Sequence, residues 1–311
     1  MNEIFEHREQ EAPLNRFCDL LVIDDIMPST MSPFRTIEYS HYLKFFSAFL
    51  LSTEGWSGWL SNKSFNEFKK DLDPAIAHKV LRFTESRDVP ARLAYVTFLG
   101  NIRLLWNYIQ AKNIPFILQL YPGGAFGLDQ PETDFILKQI CESPLLRKVI
   151  ATQTITRDYL INKIGCDAEK IEFIYGGVFE SRNGFDFYRD KKIYPRDKET
   201  IDICFVAHKY GDDLNSKGFL DFIAIAKILS KQFRNLRCHV VGGYDECDAD
   251  LSGIAGITFY GIKSQSFFGD FYASMDVIVS INRAFVIAPG AFDGFPTVVC
   301  IEAGYHCVLN A

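Results

Sequence analysis

Short apolar runs alternating with stretches of helical period constrain this chain more than any other feature of it. The runs Asp19-Leu-Leu-Val-Ile-Asp24, Arg92-Leu-Ala-Tyr-Val-Thr97, Pro115-Phe-Ile-Leu-Gln-Leu120, Lys148-Val-Ile-Ala-Thr152 and Lys170-Ile-Glu-Phe-Ile-Tyr175 are apolar and bounded by polar residues. That is the pattern of strands buried on both faces, as in a parallel sheet. Segments of helical period at 101–112 and 154–164 lie between them, and Phe45-Phe-Ser-Ala-Phe-Leu-Leu51 reads as the end of a helix running into a buried strand. Strands that alternate with helices imply βαβ units, with helices covering both faces of the sheet.

The rhythm breaks over 181–200, which is dense in Arg, Lys and Asp without an apolar period and reads as an interdomain linker. It restarts with Ile201-Asp-Ile-Cys-Phe-Val-Ala207, a helix over 217–231, Leu236-Arg-Cys-His-Val-Val-Gly242, Gly256-Ile-Thr-Phe-Tyr260 and Met275-Asp-Val-Ile-Val-Ser280. A helix near 296–305 and a strand within His306-Cys-Val-Leu-Asn-Ala311 follow. At about 100–200 residues per domain, a length of 311 residues accommodates two. The expected organisation is an N-terminal domain over 1–180, the linker, and a second domain over 201–311, both α/β and Rossmann-like. Two such domains in tandem bring the carboxyl ends of their strands around a shared cleft.

Composition limits what can occupy that cleft. Lys and Arg total 33 against 39 Asp and Glu, a net charge of -6, so no overall field favours a nucleic-acid backbone and no nucleic-acid partner is expected. The run at 45–51 falls far short of the roughly 20 residues that a membrane span needs. The polar N-terminus lacks the apolar core of a signal peptide. A cytoplasmic location is expected. The eight cysteines (Cys18, Cys141, Cys166, Cys204, Cys238, Cys247, Cys300 and Cys307) are scattered, with no C-x-x-C pair or paired His spacing. They read as reduced structural thiols rather than a zinc site or a disulfide framework.

Two segments carry chemistry. In Pro289-Gly-Ala-Phe-Asp-Gly-Phe-Pro-Thr-Val-Val-Cys-Ile-Glu-Ala-Gly304 a glycine-rich loop enters a helix with Pro296 and Thr297 in its first turn. Free backbone N–H groups and the positive helix end there suit a phosphate, with Asp293 and Glu302 able to accept from sugar hydroxyls on either side. A plain helix start explains the same residues. In Phe205-Val-Ala-His-Lys-Tyr-Gly-Asp-Asp-Leu-Asn-Ser-Lys-Gly-Phe219 cations lie on a strand-to-helix loop, where Lys217, with Lys209 or His208, can neutralise a diphosphate leaving group. A solvated lysine at a helix start is the alternative.

The two segments, in this order and at this separation, resemble the C-terminal domain of GT-B fold glycosyltransferases, specifically family 4 of the retaining enzymes. The resemblance extends upstream through Val149-Ile-Ala-Thr-Gln-Thr-Ile-Thr-Arg-Asp-Tyr-Leu160, Glu169-Lys-Ile-Glu-Phe-Ile-Tyr-Gly-Gly-Val178 and Met275-Asp-Val-Ile-Val-Ser280, covering most of 148–311. Residues 1–147 match only in their βα rhythm.

The resemblance implies an α/β protein of GT-B type, two Rossmann-like domains facing a cleft, that transfers a sugar with retention from a nucleotide diphosphate sugar to an acceptor; a nucleotide-sugar-binding subunit without catalysis and a nucleotide-sugar epimerase or hydrolase on the same fold are the alternatives. Glu302 fits the acid that holds the ribose hydroxyls. Where the family has a first Glu, this chain has Gly294, with Asp293 as the nearest acid for the transferred sugar. Backbone amides around Phe295 to Val298 would hold the diphosphate, with Gly294, Phe295, Pro296 and Thr297 among the substrate-binding residues. Lys217-Gly218 matches the family's Lys-Gly, whereas His208 or Lys209 stands in for its Arg and supplies charge without the bidentate fork. Gly261 and Lys263 would line the nucleobase pocket, and Tyr121 stands where the family's His is expected. The loop 25–36 lacks the usual glycines.

The donor is then a substrate, no cofactor or metal is required, and the acceptor is a glycan or a lipid-linked sugar. The resemblance also implies a role in cell-surface polysaccharide synthesis, with peripheral association at the inner face of the membrane. Against the family pattern the second domain is expected to be incomplete, a C-terminal truncation that leaves the 307–310 strand with an exposed edge or apolar face.

Overall fold

The computed structural model describes residues 17–29, 33–55, 64–84, 89–175, 191–263, 265–292, 294 and 297–311. The first sheet and its helices run β1 (Cys18–Asp24), α1 (Pro33–Phe45), β2 (Ala48–Ser52), α2 (Phe65–Lys70), α3 (Pro74–Ala77), β3 (Val80–Arg82), β4 (Ala91–Thr97), α4 (Leu99–Ala111), β5 (Phe116–Leu120), α5 (Pro131–Glu142), β6 (Leu146–Ala151), α6 (Thr154–Tyr159) and β7 (Ile171–Phe173). Its seven strands are all parallel, in the order β3-β2-β1-β4-β5-β6-β7. The chain therefore reverses its direction of winding between β1 and β4, which opens a crevice at their carboxyl ends.

Alternation along β1 shows why the run at 20–23 had to be apolar throughout. Leu21 and Ile23 join one core with α4 and α5, through Leu105, Ile109, Leu137 and Ile140. Val22 joins a second core on the other face, with Tyr39, Leu43, Phe65 and Phe68. Each large side chain so buried contributes about 1.5–3 kcal/mol relative to exposure. The predicted helix over 154–164 is split. α6 passes into a π-helical turn over Leu160–Ile164, which ends at Gly165 in the left-handed region with its N–H on the Leu160 carbonyl.

The second sheet runs β8 (Ile201–Val206), α7 (Phe219–Gln232), β9 (Leu236–Val241), β10 (Ile257–Phe259), α8 (Phe268–Ala273), β11 (Val277–Ile278), α9 (Thr297–Tyr305) and β12 (Leu309–Asn310). It too is parallel, ordered β10-β9-β8-β11-β12, so its reversal falls between β8 and β11. Phe205 packs with Phe219 and Phe222 on one face, while Cys204 packs with Tyr272 and Ala303 on the other. β12 lies at the edge of the sheet, with Leu309 70% exposed.

Of the predicted linker, residues 191–200 pack against the second sheet. Lys192 N–H donates to the Ala273 carbonyl at 2.9 Å and Lys198 Nζ reaches Asp202 at 2.8 Å. Positions 181–190 lie outside the described residues. Among the described residues the eight thiols are free, six of them buried, and no helix is long and apolar enough to cross a membrane.

Candidate functional site

An open cleft of about 520 Å³ lies at the carboxyl ends of β8, β9 and β10, lined by His208, Lys209, Tyr210, Gly211, Gly243 and Ile262. Two consecutive turns build it. The loop after β8 carries His208 to Gly211, and β9 ends in Gly242-Gly243, where a side chain at Gly242 would collide with the Ala207 carbonyl. Tyr210 and the 62%-exposed Ile262 give the cleft apolar surfaces, and the rings of His208 and Tyr210 meet edge to face at 5.4 Å.

Lys217 stands beside this cleft. Its Nζ lies 5.0 Å from the centre of the Tyr210 ring, a cation held against an aromatic face. Gly218 follows at φ +76 and caps α7; a Cβ there would strike the Ile281 carbonyl and side chain, so only glycine lets the loop after β8 close on the loop after β11. Arg283 N–H on the Ser216 carbonyl at 2.8 Å completes the closure. The Lys-Gly pair thus sits at the reversal point of the second sheet, where α/β folds bind ligands.

Burial, and next the charge of Lys217, lower the His208 pKa below its ordinary value, so the imidazole is neutral at pH 7. Lys209, by contrast, has its ammonium 2.6 Å from Asp248 Oδ1 and 5.9 Å from the Tyr244 ring centre. Its charge is shared with that carboxylate before any ligand arrives. Two buried hydroxyls in the same region, Ser216 and Tyr244, have no hydrogen-bond partner among the described residues.

The other sequence-predicted positions are distributed more widely. Gly261 holds φ +69 and accepts from Gly242 N–H at 3.1 Å, while Lys263 lies 5.4 Å from the Phe267 ring centre. Glu302 is half-buried on α9, where its charge, after burial itself, helps to raise the pKa of the enclosed Tyr272. Gly294, at φ +63, accepts from Asn282 Nδ2 at 2.8 Å. Thr297 opens α9, and Asp293, Phe295 and Pro296 lie outside the described residues. Tyr210, Gly211 and Gly243 were not singled out from sequence; their position directly after strand ends is the signal that could have found them.

Tyr121 belongs to the first sheet, where the carboxyl ends of β1, β4 and β5 carry a polar network that sequence reasoning missed. Asp24, fully buried, accepts from Arg35 Nη1 at 2.7 Å, Tyr39 OH at 3.0 Å and Ile26 N–H at 2.7 Å. Tyr39 meets Thr97 Oγ1 at 2.6 Å, and Gln119 donates to Tyr121 OH at 2.9 Å. The same Arg35 reaches Asp25 at 2.8 Å and lies 4.9 Å from the Phe98 ring centre. Burial, then the neighbouring Asp24, raises the Asp25 pKa, with Arg35 opposing them. Phe98 itself holds φ +71, a strained backbone for a phenylalanine, beside Gly124 at φ +53.

No family model matches the sequence, and no curated protein does. Solved structures do match its fold. A glycosyltransferase from Rickettsia africae superposes with a TM-score of 0.61 at 16% identity, over 95% of this chain and 79% of that one. HepE of Anabaena, crystallised with UDP and glucose, gives 0.57 at 13%, over 94% and 80%. Sucrose-phosphate synthase of Thermosynechococcus elongatus gives 0.56 at 14%, over 92% and 78%. The architecture is the GT-B fold, as the sequence resemblance implied.

Proposed function

We propose that this chain is a glycosyltransferase that moves a sugar from a nucleotide diphosphate sugar to an acceptor with retention of anomeric configuration. The observation that carries the reading is the cleft at the second sheet's reversal point, where a lysine, a half-buried histidine and exposed apolar surface converge beside a loop that leads into α9. Tyr210 and Ile262 offer a face to the nucleobase, with Gly261 and Lys263 on the same loop. Lys217 supplies positive charge to the departing diphosphate, His208 adds to it by taking up a proton when the diphosphate binds, and the N-terminus of α9 adds backbone N–H groups.

Transfer through an oxocarbenium-like transition state develops positive charge on the sugar and negative charge on that leaving group, so cations fixed beside the diphosphate lower the barrier. These protein groups do the work that a metal does in other nucleotide sites, and Glu302 is assigned to the ribose. The first domain, 1–180, takes the acceptor at its own reversal point, where Asp24, Asp25 and Arg35 largely neutralise one another and hydroxyl-bearing ligands fit better than charged ones. A glycan or lipid-linked sugar in polysaccharide synthesis, met in the cytoplasm at the inner face of the membrane, is the acceptor class proposed.

That HepE was crystallised with UDP and glucose makes UDP the first probe. Calorimetry should show UDP binding that Lys217→Ala weakens by about tenfold, or about 1.4 kcal/mol, and Glu302→Ala by a similar factor. If neither substitution weakens binding of UDP or of any other nucleoside diphosphate, the site is misassigned. The Lys209–Asp248 pair favours a second reading, a nucleotide-sugar-binding subunit without turnover; binding without product from any donor and acceptor pair would select it.

A further inference from the structure

The loop between β11 and α9 belongs to the second domain by sequence, yet part of it is buried in the first. Phe292 is 5% exposed and sits in the core cluster of the first sheet, edge-on to Phe126 with ring centres 5.5 Å apart. The backbone around it is tied to the same place. Leu128 N–H donates to the Gly290 carbonyl at 2.8 Å, and Gly290, at φ +73, has the Leu128 carbonyl and Gln130 where a Cβ would project.

The receiving side is itself braced. Tyr159, half-buried in the same cluster, accepts from Asp129 N–H at 2.7 Å and donates to Asp134, fixing the segment that runs from Phe126 to Gln130. On the far side of Phe292, the Gly294 backbone packs against Gln153 so closely that a Cβ would collide with its amide, and Asn282 holds the Gly294 carbonyl. α9 starts immediately afterwards, at Thr297.

We infer that Phe292 is a positioning residue for the donor site: seated in the first domain's core, it ties the β11–α9 loop to that domain and so sets where the N-terminus of α9 presents its N–H groups. The inference rests on the donor site proposed above. It makes nucleotide affinity depend on engagement of the two domains, through a residue that does not line the cleft. Displacement of about 1 Å at such a distance is enough to cost up to about 100-fold in a positioned reaction.

The test compares Phe292→Ala, Phe292→Leu and, as a control of similar severity in the same core, Ile102→Ala. Phe292→Ala is expected to weaken UDP at least about tenfold and to speed hydrogen exchange of the Leu128 amide by a similar factor, with Phe292→Leu restoring both. Ile102→Ala should leave UDP affinity within about twofold of wild type. Should Phe292→Ala fold poorly, Gly290→Ala breaks the same junction from its backbone side. Wild-type affinity together with a protected Leu128 amide in either variant overturns the inference, as does equal loss of affinity in Ile102→Ala. If the wild-type chain binds neither UDP nor any other nucleoside diphosphate, the donor reading fails on its own, and the Leu128 exchange rate still decides whether the anchor exists.

Discussion

The two parallel sheets place their buried charges at opposite ends. In the first, Asp24, Thr97 and Gln119 are at or next to the last residues of their strands, and the Asp24–Arg35 pair is sealed at the carboxyl end. In the second, Asp202 stands at the start of β8 and Asp276 just before β11, bridged by Lys198 Nζ at 2.8 and 2.6 Å. His239 adds a further contact to Asp202 at 2.8 Å and meets Tyr260 OH at 2.9 Å. A buried ionic cluster fastens whichever end of a sheet it occupies. Among the described residues, the second sheet carries Lys217 and His208 at the end where α/β folds receive ligands.

The sharpest way to break this contrast is Arg35→Met, which leaves Asp24 as an uncompensated buried carboxylate. Urea unfolding should show a loss of about 3–5 kcal/mol, largely recovered in the double variant with Asp24→Asn. The corresponding Lys198→Met in the second sheet should cost less, about 1.5–3 kcal/mol, because Asp202 is 9% exposed where Asp24 is fully enclosed. Equal losses in the two sheets would contradict the idea that the cost of removing the cation follows the depth at which its carboxylate is buried.

Acid provides a gentler probe. Burial alone would raise the Asp202 pKa, but hydrogen bonds from His239, Lys198 and Thr200 overcome it and hold the carboxyl below its ordinary value. A carboxyl whose folded-state pKa is depressed contributes its full stability above the unfolded value of 3.8, and that contribution is lost as pH falls from there through the folded-state value. The second sheet should therefore lose stability in that window, and Asp202→Asn should flatten the acid limb of its unfolding curve.

The smallest effect concerns the cleft. His208 is held neutral by burial and by Lys217, whereas a bound diphosphate favours the imidazolium, so binding takes up a proton. UDP affinity should rise as pH falls from about 7.5 to about 6, by about threefold more than in His208→Gln; the comparison cancels the nucleotide's own titration. Parallel pH profiles in the two proteins would remove His208 from the phosphate site.

Most of the central strands were legible because a strand buried on both faces leaves an unbroken apolar run, as in 20–23 and 203–207. β3, only Val80–Arg82, is too short to register as a period. α5 went unread because Phe135 on its outer surface blurs the apolar stripe, although Pro131 in its first turn marks its start. At the site, Lys217-Gly218 and the loop after β8 were visible since they follow strand ends. The partners of the polar residues were not: Asp24 meets Arg35 and Tyr39 across a turn, and Lys209 meets Asp248 39 residues away. Sequence patterns report burial and backbone conformation, while the pairing of charges depends on which strands become neighbours.

The seat of Phe292 has a consequence for synthesis of the chain. The strands of the first domain are complete at Phe173, but its core waits for a side chain encoded well over a hundred positions later. At about 5–20 residues per second, the interval between the two is on the order of 6–24 s. A first domain that folded as soon as its strands emerged would leave the space beside Phe126 without the Phe292 ring for that interval.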